Sequence, residues 1–354
     1  RGEWRSESWW KDRVKWDSVT PGNALTAETY DYADIQRYKK MKKKDVQAYL
    51  NRKFQPANAT LLIVGRVDPA ETLALADKYF GSWYPDAGTN LNRLPSVPGP
   101  EEAKAGGIYV FDVKKNTQTQ IGLTCAIEPW DESNLIAEEM LAKMISEKAN
   151  RLLRQGAGVT YGAGATAYTA VGGTSMIMMQ SLVENAGIKL TVDTFYDLLR
   201  EVGDGEIDEA RLALNKLHYA KANATSFQSV AQMSSKLLGD VIQHAGRRDW
   251  TYFDNVGKQI SSVTPELVTR TLANCRENAV LVLEGPEDAI KAALDEGDYT
   301  YEVFDYKAAG DKLLEQHAPK EYAKMMKSRA KAKAKKDKEN KKEAAEAGDE
   351  PSTE

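Results

Sequence analysis

Two residues whose side chains can stabilise negative charge lie seven positions apart near the middle of the chain. Arg154 stands at the end of a predicted helix, and Tyr161 stands at the start of a predicted strand. A guanidinium and a phenol both donate hydrogen bonds, so the pair could stabilise the oxyanion that develops when a carbonyl is attacked. The same types also fit a plain structural role, in which Arg154 complements the helix dipole and Tyr161 is a strand aromatic. Residue types alone favour the structural role.

The histidines give no support for metal chemistry in this chain. There are three, His218, His244 and His317, and even the closest two are many helical turns apart in sequence. A catalytic zinc site needs several ligands that converge, such as two histidines one helical turn apart. We expect each histidine to be a surface or helix-packing residue, so this chain should supply no metal ligand.

The composition is that of an ordinary globular protein. Hydrophobic residues make up 42% and charged residues 28% of the 354 residues, and the net charge is -4. That charge lacks the basic excess of a nucleic-acid-binding protein. No apolar run approaches the roughly 20 residues that cross a bilayer. The sequence from Arg1 matches neither a signal peptide nor a transit peptide, so we interpret it as an internal part of a longer protein.

The chain has two cysteines, Cys125 and Cys275. A single bridge between them is one possibility. Because free cysteine is among the most buried residue types, we expect two buried free thiols instead. The redox compartment stays undecided on this count.

An internal repeat organises the chain. The run Asn-Ala-Thr-Leu-Leu-Ile-Val-Gly at 58–65 recurs as Asn-Ala-Val-Leu-Val-Leu-Glu-Gly at 278–285. Each run predicts a buried strand that ends at its glycine. The matching order of helix, strand, glycine and helix favours a duplicated domain over chance. The predicted helices around the two runs span residues 44–54, 69–79, 265–275 and 287–294.

The repeat predicts that the first copy is truncated. A second copy that starts near residue 106 has a long stretch of chain before position 278, whereas the chain before position 58 is far shorter. We expect residues 1–84 to be the C-terminal remnant of a first domain and 85–105 to be a proline-containing linker. Residues 106–299 would form the second domain, and 300–354 an extension that ends in a charged, disordered tail.

Within the second copy, strands and helices come in runs rather than in strict alternation. This order predicts an α+β fold in which helices pack on an antiparallel sheet. The runs 108–113 and 119–127 predict paired strands joined by a turn at 114–116. The elements predicted after them are a helix at 134–153, antiparallel strands at 161–168 and 174–183, and helices at 187–202 and 207–226.

These motifs together resemble the pitrilysin/insulinase class of zinc metallopeptidases. Gln-Pro-Ala-Asn-Ala-Thr-Leu-Leu-Ile-Val-Gly at 55–65, with Lys-Tyr-Phe-Gly-Ser-Trp at 78–83, resembles the end of the first domain in that class. The segment 152–162 resembles the arginine–tyrosine segment of the second domain, with the same separation. Glu-Ile-Asp-Glu-Ala-Arg at 206–211 resembles the start of a later family helix. The similarity covers residues 30–290.

The resemblance implies a clamshell of two related α+β domains, the first of which carries a His-x-x-Glu-His zinc motif. That motif would belong to the part of the first copy outside this chain, so zinc is expected in the complete enzyme and not bound by this chain. In the class, the residues that match Arg154 and Tyr161 reach the zinc site and help to hold the substrate carbonyl and the tetrahedral intermediate. The resemblance therefore favours the functional interpretation of the pair. The stretch 155–158 departs from the charged sequence usual there, so we expect a more flexible loop.

The resemblance leads to one expected function and one alternative. The chain would be the substrate-side portion of such a peptidase, contributing Arg154 and Tyr161 to a peptide-hydrolysing site whose zinc ligands lie upstream or in a partner chain. The alternative is a non-catalytic homologue that acts as a partner subunit or structural scaffold. The expected partners are a zinc-motif-bearing N-terminal fragment or homologous subunit and a peptide substrate. Many bacterial relatives are exported, which suggests the periplasm.

The C-terminal tail changes in composition. Residues 320–342 are dense in lysine and alanine, and 343–354 are acidic. Almost no apolar residue follows Met326, so the tail cannot bury a core. A partly helical, solvated extension is favoured over a docking element for an acidic partner.

Overall fold

The computed structural model of the chain describes residues 7–19, 40–56, 59–83, 106–127, 132–169, 175–243, 251–272 and 275–347. The N-terminal part contains the helices α1 (Glu7–Val19), α2 (Lys43–Lys53) and α3 (Pro69–Phe80). α3 begins where the sequence predicts, because the Asp68 carboxylate accepts the Glu71 N–H at 2.9 Å and a proline occupies the first turn. The linker expected at 85–105 lies outside the described residues.

Strands and helices of the larger, C-terminal part come in runs, as the sequence predicts. The first run is β1 (Gly107–Asp112), β2 (Gln118–Ile127), α4 (Glu132–Ala149) with its π-helical continuation (Asn150–Gly156), β3 (Thr160–Thr169) and β4 (Ser175–Glu184). The helices that follow are α5 (Ile188–Gly203), α6 (Glu209–Thr225), α7 (Val230–Gln243), α8 (Thr251–Ser262), α9 (Pro265–Thr271) and α10 (Cys275–Asn278). The last elements are β5 (Val280–Gly285), α11 (Glu287–Glu296), β6 (Glu302–Val303), α12 (Tyr306–His317) and α13 (Pro319–Ala347).

The six described strands form one sheet in the order β3-β4-β2-β5-β1-β6. β1 runs parallel to both β5 and β6, whereas β2 pairs antiparallel with β4 and β5, and β3 pairs antiparallel with β4. The predicted α+β class is therefore confirmed. The sheet is mixed rather than wholly antiparallel, with its parallel pairs at the β6 end.

The predicted pairing of 108–113 with 119–127 is wrong. β5 lies between β1 and β2 and pairs with both. Five of the six residues of β5 are buried, which is the pattern of a central strand covered on both faces. A local turn is present, since the Asn116 N–H donates to the Val113 carbonyl at 3.0 Å. The turn carries the chain past β5, about 10 Å to the strand beyond it.

The main core lies between one face of the sheet and a layer of helices that includes α4, α5, α9 and α11. α5 shows how the sequence places its helix in that layer. Ile188, Val192, Phe195, Leu199 and Val202 are all buried and recur at helical spacing along one face. The strands below are fully buried at the centre of the sheet, so the helices and strands share one continuous apolar interior.

Helix α1 packs on the opposite face of the sheet. Its Trp10 ring lies 5.5 Å from the ring of Phe304, which follows β6. Lys11 forms an ion pair with Glu284 of β5. Burial lowers the pKa of Lys15 below its usual range. The tryptophan-rich opening segment is therefore a helix that contacts strands far along the chain.

The expectation of two free thiols is wrong. Cys125 of β2 and Cys275 at the start of α10 form a disulfide, with their Cα atoms 5.1 Å apart. Both residues are buried in the main core. The fold brings α10 against β2, and this proximity is hidden by the long stretch of sequence between the two cysteines. The bridge ties the chain just before β5 to a strand that pairs with β5.

The buried strand predicted at 58–65 is not seen in the described residues 59–65. This segment has no strand conformation, and the exposed fractions of Leu61 and Ile63 are 57% and 47%. A strand needs neighbours to pair its N–H and C=O groups, and none of the described strands pairs with this segment. The flanking helices α2 and α3 form as predicted, yet neither has a buried residue.

The tail is helical as far as Ala347. α13 is one helix of 29 residues, and its first turns pack on α12 through Tyr322 and Met325. Arg329 forms an ion pair with Asp311 of α12. Alanine, lysine and glutamate favour helix, so a composition that cannot build a core still forms a solvated helix. None of the described helices has the length and apolar character that a membrane span requires.

Candidate functional site

Arg154 lies in the π-helical segment that continues α4. Near the end of this segment the Ala157 N–H donates to the Leu152 carbonyl, five residues back, at 3.0 Å. π-helical turns are rare and occur frequently at functional sites. The neighbouring Leu153 is fully buried and anchors the segment in the core. The Arg154 side chain itself is exposed.

Tyr161 lies in a β-bulge on β3, the edge strand of the sheet. Because the register shifts between Thr160 and Ala163, Tyr161 and Gly162 together face the single residue Leu182 of β4. Bulges re-aim side chains and are common beside active sites. The exposed fraction of Tyr161 is 89%, which is high for a tyrosine within a strand.

The hydroxyl of Thr160 forms hydrogen bonds with backbone groups that the bulge leaves without a partner on the neighbouring strand. Its Oγ1 donates to the Leu182 carbonyl at 2.7 Å and accepts the Gly162 N–H at 3.1 Å. The Ser181 hydroxyl donates to the same oxygen at 3.0 Å. The bulge is therefore a stable feature in which polar groups are satisfied. Sequence reasoning missed Thr160, since a threonine before a tyrosine in a strand carries no distinctive pattern.

A short connection, 157–159, joins the π-helical segment to β3. Gly158 has a φ of +69°, in the left-handed region that glycine adopts without strain. The Val159 N–H donates to the Leu153 carbonyl at 3.1 Å. A Cβ atom at Gly187 would lie 2.5 Å from the Val159 Cβ, so only glycine leaves room for this contact. The connection is anchored at Val159.

The two candidate side chains carry no hydrogen bond or ion pair to any of the residues that the structure describes, each other included. Both are hydrogen-bond donors, and Arg154 adds a positive charge. The structure therefore brings the two residues to neighbouring elements, with both donor groups open to solvent.

No metal site is formed by the described residues. Among them, histidine, cysteine, aspartate and glutamate side chains form no group of three or more that could hold a metal ion. His218 is an exposed residue of α6. His244 and the side chain of His317 fall outside what the structure describes. In this part of the chain, zinc would therefore have no set of ligands.

Several solved structures share the fold. A protease from Helicobacter pylori matches with a TM-score of 0.60 and 17% identity over 72% of this chain and 61% of its own. The peptidase M16 inactive domain from Pseudomonas fluorescens matches with a TM-score of 0.64 and 16% identity over 78% and 65%. A chain of complex III2 from Candida albicans matches with a TM-score of 0.58 and 13% identity over 84% and 68%. At these identities the similarity shows the fold alone, which this chain shares with the peptidase M16 inactive domain from Pseudomonas fluorescens.

The family follows from the sequence. Residues 40–217 match the family model described as the peptidase M16 inactive domain, and this span includes both Arg154 and Tyr161. The chain belongs to the peptidase M16 family, which confirms the resemblance to the pitrilysin/insulinase class. No curated protein sequence matches the chain. The chain spans less than two thirds of the length of the first two structural relatives.

Proposed function

We propose that this chain is the substrate-side portion of a zinc metallopeptidase of the M16 family. Arg154 and Tyr161 contribute to a peptide-hydrolysing site whose zinc ligands lie in an upstream segment or in a partner chain. The placement of the pair carries this proposal. Both donor groups are exposed, without partners among the described residues, and held at irregularities on either side of a short connection.

The pair suits the electrostatic part of peptide hydrolysis. Attack on a peptide carbonyl turns its oxygen into an oxyanion, and donors that are already in place stabilise it without reorganisation. Arg154 offers a permanent positive charge and planar donors. Tyr161 offers one hydroxyl donor on a rigid ring. The buried neighbour Leu153 and the paired bulge hold the backbone of both residues, and such preorganisation lowers the entropic part of the barrier.

Zinc would supply the activated water of such a reaction. The described part of this chain does not fit the metal, because no cluster of candidate ligands is found there. We therefore assign the ligands to a polypeptide segment that joins this chain in the complete enzyme. The isolated chain is expected not to hydrolyse peptides.

The internal repeat supports the need for such a segment. In the proposed organisation, 1–84 is the remnant of the first domain, 85–105 the linker, 106–299 the second domain and 300–354 the extension. When the second copy is aligned on the first through the runs 278–285 and 58–65, no described strand takes the place of β1 and β2 beside residues 59–65. In the proposed organisation, the strands that would flank residues 59–65 belong to another segment. Its binding would cover Leu61 and Ile63.

The disulfide supports an exported location. Bridges such as Cys125–Cys275 persist in oxidising compartments and are rare in the cytosol. We propose that the complete enzyme works in such a compartment, for which the bacterial periplasm is the candidate. Thiol labelling of the protein in intact cells tests this point.

The alternative is a non-catalytic partner subunit or scaffold. The matching family model is described as an inactive domain. A chain of complex III2 from Candida albicans shares the fold. A non-catalytic partner subunit would still contribute Arg154 and Tyr161 to the site of its zinc-bearing partner. In a structural scaffold the two would be surface residues without a chemical role.

Native mass spectrometry of the natively purified protein separates the two proposals. A complex of this chain with a second polypeptide that holds one zinc ion supports the peptidase. A zinc-free assembly favours the scaffold, and the active-site role of the pair would then be withdrawn. In the zinc complex, Arg154→Ala and Tyr161→Phe should each lower kcat/KM about 100-fold, the usual cost of losing one oxyanion donor.

Arg151→Ala is the matched control, because Arg151 is an exposed arginine of the same π-helical segment. This change should leave kcat/KM unchanged. Equal effects of Arg151→Ala and Arg154→Ala would show that general charge rather than a placed donor matters. No effect of Arg154→Ala and Tyr161→Phe would exclude the catalytic role.

A further inference from the structure

Two side chains of the adjacent helix occupy the free edge of β3. Ser146 of α4 and Asn150 of the π-helical segment are four residues apart, so they lie on the same face, one turn apart. Ser146 Oγ accepts the Ala165 N–H at 2.7 Å and donates to the Ala165 carbonyl at 3.0 Å. The Asn150 amide oxygen accepts the Ala163 N–H at 3.1 Å, and its amide nitrogen donates to the Ala163 carbonyl.

These backbone groups are the ones that a neighbouring strand would use. β3 ends the strand order, with β4 on its other side. Ala163 and Ala165 are alternate residues, so their N–H and C=O groups face the same way, and a strand added at this edge would pair with both. Ser146 and Asn150 therefore stand in the place of a further strand. They protect this edge from pairing with other chains.

Asn150 also connects the elements that carry the two candidate residues. Its amide nitrogen donates to the Ser146 carbonyl at 3.0 Å as well as to β3, so one side chain binds the helix and the strand together. Arg154 lies four residues after Asn150 on the π-helical segment, and Tyr161 lies two residues before Ala163 on β3. This amide therefore ties the helical segment that carries Arg154 to the strand that carries Tyr161.

We propose that Asn150, assisted by Ser146, is a positioning residue that fixes Arg154 and Tyr161 relative to each other. This inference rests on the proposed function, since it assumes that the pair acts together. It adds a restriction on substrate binding. An extended peptide cannot pair with the backbone of residues 163–165, so it reaches the pair without joining this part of the β3 edge.

Hydrogen exchange tests the clamp without any need for activity. In the full chain, Asn150→Ala and Ser146→Ala should each raise the exchange rate of the segment 160–166 about five- to tenfold, because each loses hydrogen bonds to one residue of β3. Ser146→Thr keeps the hydroxyl and should stay near the wild-type rate. Ser261→Ala is the control, since that hydroxyl bonds only its own helix, at the Gly257 carbonyl at 2.9 Å. Unchanged exchange in Asn150→Ala would overturn the clamp.

Kinetics of the assembled zinc complex test the positioning role. With rates divided by the amount of complex, Asn150→Ala should lower kcat about tenfold while KM changes less than about twofold, because misplaced groups lose transition-state contacts. Asn150→Asp keeps the shape but loses the amide donor, so its kcat should also fall. Ser146→Ala should also lower kcat, and Ser146→Thr should restore it. This comparison does not depend on whether Asn150→Ala folds.

The outcomes separate this inference from the proposed function. If Arg154→Ala leaves kcat unchanged, the proposed function fails. If Arg154→Ala lowers kcat, while Asn150→Ala speeds exchange at β3 without lowering kcat, the clamp exists but does not position the pair. That result would overturn the inference and leave the proposed function standing.

Discussion

Residues 59–65 and 279–285 share one sequence pattern and differ in structure. Leu281 and Leu283 of β5 are completely buried. Their counterparts in the first run, Leu61 and Ile63, are 57% and 47% exposed. The helices on either side form in both places, so the difference is confined to the strand and to what surrounds it.

An apolar run of this kind forms a strand only where neighbouring strands are present to pair with it. β5 pairs along one edge with β1 and along the other with β2. Residues 59–65 have no neighbour of this kind among the described strands, although their β-branched and aliphatic side chains favour a strand as strongly. The pattern therefore marks a segment that belongs in a sheet, and the neighbouring strands decide whether the strand forms.

The largest effect should come from shortening a side chain in each copy. Leu283→Ala should lower the free energy of unfolding by about 3–5 kcal/mol, because it leaves a cavity in the centre of the core. Leu61→Ala should change it by less than about 0.5 kcal/mol in the same chain, because Leu61 is exposed. Urea unfolding followed by circular dichroism measures both. Equal losses of unfolding free energy would mean that residues 59–65 are as buried as β5. The two runs would then not differ in burial.

A smaller effect should come from the disulfide, which ties only the second copy. When the two runs are aligned, the counterpart of Cys275 is Gln55, so the first copy has no equivalent bridge. The double change Cys125→Ser, Cys275→Ser should lower the free energy of unfolding by about 2–4 kcal/mol. A reductant should lower the unfolding midpoint of the wild type but not of the double variant. Alkylation of two thiols in the unreduced, denatured wild type would contradict the bridge.

The smallest effect concerns alkaline pH and the packing beside α11. Burial raises the pKa of Tyr196 to about 12. Its stacking partner Tyr299 also has a raised pKa, because it is partly buried and donates to Asp193 at 2.7 Å. Above pH 10 the unfolded chain ionises these phenols while the folded chain keeps them neutral. The unfolded state then binds fewer protons, so stability falls as the pH rises.

Removing one of these phenols should make that fall shallower. For Tyr196→Phe, the loss of unfolding free energy between pH 10 and about 12 should be smaller than in the wild type by about 1–2 kcal/mol. Urea unfolding at several pH values gives the slope. An unchanged slope would mean that Tyr196 is not buried in solution. The second copy would then be packed more loosely than the structure indicates, and the two copies would differ less.

The helices can be predicted from the sequence because their signals are local. α5 and α6 begin and end within two residues of the predicted bounds, and Asp208 caps α6 by accepting the Arg211 N–H at 2.9 Å. The order of the strands cannot be predicted in this way. β5 lies between β1 and β2 in the sheet, although it follows them in sequence by more than 150 residues. The disulfide escapes prediction for the same reason, because only the folded sheet brings α10 to β2.

The sequence predicts the candidate site in part. Arg154 and Tyr161 follow from the family resemblance, and their catalytic role stays a prediction. The π-helical segment and the bulge cannot be predicted, because neither changes the apolar periodicity that the sequence shows. Asn150 and Ser146 escape notice since their role depends on reaching β3 from a helix. Polar residues near a helix end most often face solvent.

Helix α1 has a consequence for how the polypeptide can be divided. It comes from the first residues of the chain, yet Trp10 and Lys11 are held by Phe304 and Glu284 at the far end of the sequence. Residues from the start of the chain therefore pack against residues that come after position 280. After a single cut within residues 85–105, we expect the two fragments to stay together as one non-covalent complex. Fragments that are separated and then mixed should associate again through α1.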